Sequence, residues 1–170
     1  VTAPPVFAPL QGHHDRKGFD CGKPALNDFL HRQARQNAER NLGVTHVAVP
    51  EVGATKILAY YTLLTREVYP ATLPDTKLPQ RDAIGVALLG RLAVDVTAQG
   101  QGLGRLCLAR ALSQVEIAAR ELGIYALVLD ALDDDARQWY LRLGLGFQTF
   151  LDDPNRLYLP VATIRRLARP

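Results

Sequence analysis

The residues best placed to do chemistry lie in one stretch, Gly90-Arg91-Leu92-Ala93-Val94-Asp95-Val96-Thr97-Ala98-Gln99-Gly100-Gln101-Gly102-Leu103-Gly104-Arg105. An apolar run from Ile84 to Val96 has strand length, three alternate glycines follow, and a helical pattern begins at Leu103. The first N–H groups of a helix have no intrahelical partner, and the helix dipole adds partial positive charge there. Glycine lets the backbone approach an anion and adopt φ > 0 without a Cβ clash. Strand, glycine turn and helix together read as a cradle for a pyrophosphate. The glycines alone fit a flexible, ligand-free connection equally well; the flanking strand and helix favour the cradle. Spacing separates it from two better-known cradles. A P-loop ends in Gly-Lys-Ser/Thr, whereas Gly104 precedes Arg105-Leu106. A dinucleotide fingerprint reads G-x-G-x-x-G, whereas Gly100, Gly102 and Gly104 give G-x-G-x-G.

A second group of candidates is basic or aromatic. Arg32, Arg35 and Arg40 lie largely off the apolar stripe of a helix that starts near Pro24, Arg91 sits inside the strand that precedes the glycines, and Arg137 and Arg142 bracket Tyr140 in sequence. Taken by themselves, these arginines read as a solvated face at least as readily as a phosphate-contacting one. Tyr140 reads as an amphipathic aromatic packed into a core with its hydroxyl towards water.

The elements that must position these groups follow from periodicity. Val6 to Leu10 forms a short first strand. Pro24 opens a helix carrying Leu26, Phe29, Leu30, Ala34 and Ala38, which closes at Asn41-Leu42-Gly43. Val44 to Val49 and Ile57 to Leu64 make a hairpin, and Pro70, Pro74 and Pro79 mark an irregular connection. The strand from Ile84 to Val96 contains Gly85 and Gly90, which invite a bulge or splay. A helix runs from Leu103 to Leu122 and stops at Gly123, and Ile124 to Leu132 is apolar enough for a central strand parallel to its predecessor. That helix is then the crossover of a right-handed βαβ unit. Asp133 to Asp135 open a helix bearing Ala136, Trp139, Tyr140 and Leu143. Phe147 to Leu151 and Leu157 to Leu159 are the last strands, joined by the turn Asp152-Asp153-Pro154-Asn155.

Composition excludes several classes. The 170 residues suit one domain, residues 1–170, with one core; apolar content of 48% and charged content of 22% are those of a globular chain. No apolar run approaches the ~20 residues of a membrane helix. No signal-peptide pattern opens the chain, so the expectation is a cytoplasmic protein without a membrane partner. Cys21 and Cys107 fit no metal or redox spacing and read as free thiols, so no metal is expected. A net charge of +3 permits a nucleic-acid partner without requiring one.

The pattern Gln-x-x-Gly-x-Gly, from Gln99 through Gly102 to Gly104, directly after a Val-rich strand, resembles motif A of the GNAT (Gcn5-related) N-acetyltransferases. The element order β-α-β-β-β-α-β-α-β-β extends the resemblance over nearly the whole chain. It implies an α/β (α+β) GNAT fold: a mixed central sheet of six to seven strands, splayed between strands 4 and 5 and flanked by about four helices. It also implies acetyl-coenzyme A (acetyl-CoA) as co-substrate. The backbone of Leu92, Ala93 and Val94 would hold the pantetheine arm. Gln99, Gly100, Gln101, Gly102, Leu103, Gly104 and Arg105 would hold the pyrophosphate, and Tyr140 would be the catalytic acid that protonates the departing thiolate.

A subfamily is also suggested. Phe19-Asp20-Cys21-Gly22 with Leu26, Phe29-Leu30 and Ala34, together with Gly90-Arg91-Leu92-Ala93-Val94-Asp95 and Asp130-Ala131-Leu132-Asp133-Asp134, resemble the GNAT toxins of type II toxin–antitoxin modules. Those enzymes acetylate the α-amine of the amino acid on charged tRNA and block translation. The resemblance implies an aminoacyl-tRNA substrate, a ribbon-helix-helix antitoxin and a homodimer, with Arg32, Arg35, Arg40, Arg91, Arg137 and Arg142 as candidate tRNA contacts. Two other functions remain open: a GNAT enzyme for a small amine or a protein N-terminus, and a non-catalytic acetyl-CoA-binding regulatory module. An α-amine has a pKa of ~7.7–8.0, which an adjacent ester lowers further, so such a substrate needs no strong base. The four histidines read as structural or surface residues, with His13-His14 near a floppy N-terminus. One departure from the family is the lengthened turn Leu143-Gly144-Leu145-Gly146-Phe147 after Tyr140, where the family reads Tyr followed shortly by Gly-Phe.

Overall fold

The structure is a computed structural model that describes residues 3–170. Seven strands join one mixed sheet in the order β1-β2-β3-β4-β5-β7-β6, where β1 is Val6–Pro9, β2 Val44–Val49, β3 Ala59–Val68, β4 Ile84–Val94, β5 Ala126–Asp130, β6 Gln148–Thr149 and β7 Arg156–Pro160. The helices are α1 (Pro24–Asp28), which continues through a π-helical turn (Phe29–Gln33) into α2 (Ala34–Glu39), then α3 (Leu103–Ala118), α4 (Asp134–Arg142) and α5 (Val161–Leu167). The expected mixed architecture with four helical segments is therefore present. β4 and β5 are parallel, pairing Ala87 with Leu127 and Leu88 with Val128, with α3 as the connection between them.

The chain divides into two compact units, and β3, β4 and α3 each contribute residues to both. The first comprises residues 1–64 and 90–111. Here β2 pairs antiparallel with β1 (Val6 opposite Val49) and with β3 (Ala48 opposite Ala59). Phe19, Phe29, Leu30, Val47, Ile57 and Tyr60 build its core, and the Tyr60 hydroxyl donates to the Leu26 carbonyl at 2.6 Å. Thr45 and Thr62, both buried, satisfy one another at 2.7 Å. A Cβ on Gly90 would stand 2.9 Å from Leu64 Cδ2, so glycine here admits a close approach between neighbouring strands.

The second unit comprises residues 65–89 and 112–170. Its centre is β5, whose residues 126–129 are all buried and which pairs along its full length with β7. Such a strand carries an unbroken apolar run, as the sequence has. Asp130 at its end is held between Arg66 and Arg156 at 2.8 and 3.0 Å.

Several boundaries differ from expectation. The first helix is interrupted by its π-helical turn, where the Ala34 N–H donates to the Phe29 carbonyl five residues back. α3 ends at Ala118, where the helix tightens: the Arg120 and Glu121 N–H groups bond three residues back, to Ile117 O and Ala118 O. β6 is only two residues; the Phe150 N–H still bonds to Arg156, its register partner on β7, and beyond it the Leu151 N–H goes to Thr72. α5 follows β7 directly, where periodicity suggested no element; its seven residues are too few for a repeating apolar stripe to stand out. His14 is buried with its Nδ1 accepting from the Gln11 N–H at 2.9 Å, so the segment around it is anchored rather than floppy.

Candidate active site

In the first unit, β4 runs into a single 3-10 turn, Val96–Ala98, then Gln99 to Gly102, and then α3. Gly100 and Gly102 have φ of +77° and +81°, a region that L side chains rarely adopt. A Cβ built on either meets no described atom within 4 Å, so the space beside each is open. Gly100, Gln101 and Gly102 are exposed, while Leu103 is buried and fixes the helix start to the core. The Gly102 carbonyl accepts from the Leu106 N–H at 3.2 Å, which places Gly102 at the helix cap and leaves the N–H groups of Leu103, Gly104 and Arg105 in the first turn. Two backbone reversals without side chains, a helix N-terminus and open space suit a pyrophosphate. Acetyl-CoA therefore fits the residues present.

The segment before the glycines is strongly tied. Asp95, 4% exposed, accepts from the Asp20 N–H (3.0 Å), the Thr97 N–H (2.9 Å) and the Thr97 hydroxyl (2.6 Å). Burial alone would raise the pKa of this carboxyl, but those donors outweigh it and hold it below the ordinary value. The Val96 N–H donates to the Asp20 carbonyl at 2.7 Å, and the Asp95 N–H to that of Leu58 at 2.8 Å. Gln99 is among the residues expected at the pyrophosphate; its side-chain amide donates to the Cys21 and Val94 carbonyls at 3.1 and 2.9 Å. Its distance in sequence from Cys21 hides this contact from any local pattern.

Of the arginines in this unit, Arg32 and Arg40 are exposed and form no ion pair among the described residues. Arg35 pairs with Glu39 at 3.3 Å, and Arg91 lies 4.8 Å over the Phe29 ring while donating to its neighbour Gly90. Three histidines are accounted for structurally. His31 Nε2 donates to the Phe19 carbonyl at 2.8 Å, His14 is anchored as above, and His46 stacks on Tyr61 with ring centroids 5.3 Å apart. Burial, then the charge of Arg110, keeps His46 below its ordinary pKa and so neutral near pH 7. Among the described residues no group of three or more His, Cys, Asp or Glu side chains could hold a metal. No described helix is long and apolar enough to cross a membrane.

Tyr140 belongs to the second unit, on α4. Asp133 caps that helix by accepting from the Ala136 N–H at 2.8 Å, Asp134 and Asp135 sit in its first turn and Arg142 in its last, all in accord with the dipole. The Tyr140 ring is buried, edge-on to Trp139 (4.9 Å) and Phe147 (5.6 Å). Gly144 and Gly146, at φ +69° and +102°, turn the chain so that Phe147 returns to Tyr140. The lengthened turn thus ends on the tyrosine ring. At 100° per residue, Arg142 lies about 200° around the helix from Tyr140 and so on the opposite side. Arg137 is on the nearer side, but its Nε donates to the Pro154 carbonyl at 2.7 Å and its NH1 is 3.6 Å from Asp134.

Comparison with known proteins agrees with this architecture. The family model described as Acetyltransferase (GNAT) family matches residues 25–147. The tRNA-acetylating toxin of Mycobacterium tuberculosis (strain ATCC 25618 / H37Rv) is 31% identical over 154 residues, covering 90% of each chain. A solved structure of AtaT complexed with acetyl-methionyl-tRNAfMet aligns with TM-score 0.88 at 30% identity, over 97% of this chain and 99% of that one. A tyrosine-to-phenylalanine mutant of the AtaT toxin, bound to the C-terminus of the antitoxin AtaR and acetyl-CoA, aligns with TM-score 0.84 at 27% identity, over 99% of this chain and 100% of that one.

Proposed function

The chain belongs to the GNAT acetyltransferase family, and from that premise we propose that it is a toxin that acetylates charged tRNA. Acetyl moves from acetyl-CoA to the α-amine of the esterified amino acid, and translation stops because that amine can no longer attack a peptidyl ester. The observation that carries this reading is the likeness, along almost the entire chain, to AtaT complexed with acetyl-methionyl-tRNAfMet. Residues 1–170 act as one acetyltransferase domain.

When bound, acetyl-CoA supplies an acetyl group activated as a thioester. The first-turn N–H groups of α3, with the backbone of Gly100 to Gly102, hold the pyrophosphate, and the strand backbone at Leu92, Ala93 and Val94 holds the pantetheine arm. The substrate amine, with a pKa of ~7.7–8.0 or lower, has a neutral fraction of roughly a tenth or more at pH 7, and that fraction attacks the acetyl carbon without a strong base. An N–C bond forms, the C–S bond breaks, and the Tyr140 hydroxyl gives its proton to the sulfur. Water restores the phenol and takes the proton that the amine releases. Arg32 and Arg40 are the best-placed of the basic candidates to meet tRNA phosphates, since neither is engaged by a carboxylate among the described residues. Arg35, Arg91, Arg137 and Arg142 are weaker candidates on the contacts above.

The expected partners are a ribbon-helix-helix antitoxin and a second copy of this chain, and the expected compartment is the cytoplasm, where charged tRNA is found. The test incubates the protein with acetyl-CoA and charged tRNA and reads the aminoacyl end by mass spectrometry. Acetyl should appear with the wild type. Tyr140→Phe should be slower by about 10²–10⁴-fold, the usual contribution of a positioned acid. It should melt within a few degrees of the wild type, because the ring keeps its contacts with Trp139 and Phe147. Unmodified tRNA together with acetylated small amines would move the assignment to the latter substrates.

A further inference from the structure

Asp95 sits four residues before the glycine loop, and as a buried carboxylate its charge opposes the binding of a pyrophosphate close by. Its hydrogen bonds give it another purpose. Together with Gln99 it ties both ends of the segment 95–99 to one turn, residues 20–21, some 75 positions earlier. Asp95 takes the Asp20 N–H, Gln99 gives its amide to the Cys21 carbonyl, and between them the Val96 N–H donates to Asp20 O.

The receiving turn is itself held. The Asp20 carboxylate accepts from the Gly22 N–H and from Asn27 Nδ2, both at 2.8 Å, and Asn27 Oδ1 accepts from the Cys21 N–H at 2.9 Å. Asn27 lies in α1, so the chain of contacts runs from the glycine loop into a helix of the same unit. Glycines at 100 and 102 give the loop the left-handed turns it needs, and they also leave it with the largest conformational entropy to lose on ordering. A loop that must be both glycine-rich and fixed needs fastening from outside itself.

We infer that Asp95, Thr97 and Gln99 are positioning residues that pre-order the pyrophosphate loop by clasping it to the Asp20–Cys21 turn. The inference rests on the reading of that loop as the coenzyme A site. It assigns the Gln99 side chain to the clasp and leaves contact with phosphate to the backbone. Ordering the loop before ligand arrives removes that cost from binding, so loss of the clasp weakens coenzyme A affinity while leaving the fold largely intact.

The test uses the full chain and coenzyme A as the calorimetric probe. Gln99 and Thr97 are exposed, so their variants are suited to it. Gln99→Ala should raise the Kd about tenfold, and Thr97→Ala, which removes one donor to Asp95, about threefold. Thr97→Ser keeps the hydroxyl and should restore wild-type affinity. Amide exchange at residues 100–105 of the ligand-free protein should quicken in both alanine variants, with the melting temperature within about 3 °C of wild type. Affinity within twofold of wild type in Gln99→Ala would overturn the inference. If that variant fails to fold, the Thr97→Ala and Thr97→Ser pair decides, and equal affinity in the two overturns it. A wild-type protein that binds coenzyme A but leaves charged tRNA unmodified removes the proposed function and leaves the clasp standing. A wild-type protein that does not bind coenzyme A overturns both.

Discussion

Gly102→Ala separates backbone strain from ligand contact, because the same protein contains its own control. Gly102 has φ +81° and Gly53, in the loop between β2 and β3, has φ +82°; a Cβ on either meets no described atom within 4 Å. Neither alanine clashes, and each pays for the left-handed conformation alone, about 1–2 kcal/mol. The stiffer unfolded chain offsets about 0.4–1 kcal/mol of that, leaving a net loss near 1 kcal/mol. For a chain of this size that lowers the melting temperature by about 2–4 °C. The two variants should therefore melt alike. They should differ in coenzyme A affinity, because the methyl at Gly102 stands at the entrance to the first turn of α3. Displacing one charge-assisted hydrogen bond costs about 1.5–3 kcal/mol, or roughly ten- to a hundredfold in Kd. Gly53→Ala should bind as the wild type. Differential scanning fluorimetry and isothermal titration calorimetry on the three proteins are sufficient. Equal coenzyme A affinity in Gly102→Ala and Gly53→Ala would refute the assignment of the loop.

Acetylation of charged tRNA should fall with salt along a straight log–log line, and Arg32→Ala and Arg40→Ala should each reduce that slope by about one if each meets a phosphate. Arg137→Ala should instead lower the melting temperature, because its guanidinium is bonded to the Pro154 carbonyl; an unchanged melt with an altered salt slope would reverse that assignment. Asp130 should contribute to acid sensitivity. Burial alone would raise its pKa, but Arg66 and Arg156 hold it below the ordinary 3.8, so its stabilisation is present above that value and lost as pH falls through the folded pKa. Urea midpoints measured from pH 7 to pH 3 should decline less steeply in Asp130→Asn than in the wild type, and the same slope in both would discount the pair of arginines.

What was legible without coordinates is what local physics dictates. Strand patterns, helix periodicity and the demand for glycine at reversed φ all act within a few residues, so the order of elements and the position of the glycine loop could be read directly. The same holds for Asp133 as the cap of α4, since capping follows from helix geometry. Element ends were less legible: β6 is curtailed because Leu151 bonds to Thr72, a partner that no window around residue 150 contains.

The residues that changed meaning are those with distant partners. Gln99 looked like a ligand contact because it sits inside the motif, yet its amide is spent on Cys21 and Val94. Arg91 looked like a free cation, and it lies against Phe29. His14 looked like part of a loose end, and it is buried. Asp95 carried no signal of its own, and it proves to be the centre of the contacts that fix the loop. The sequence alone determined the order of elements and the glycine turn ahead of α3, because backbone conformation and amphipathic pattern are local properties. Only the tertiary structure decided which polar side chains are already committed, because a hydrogen bond is settled by which atoms folding brings to within about 3 Å.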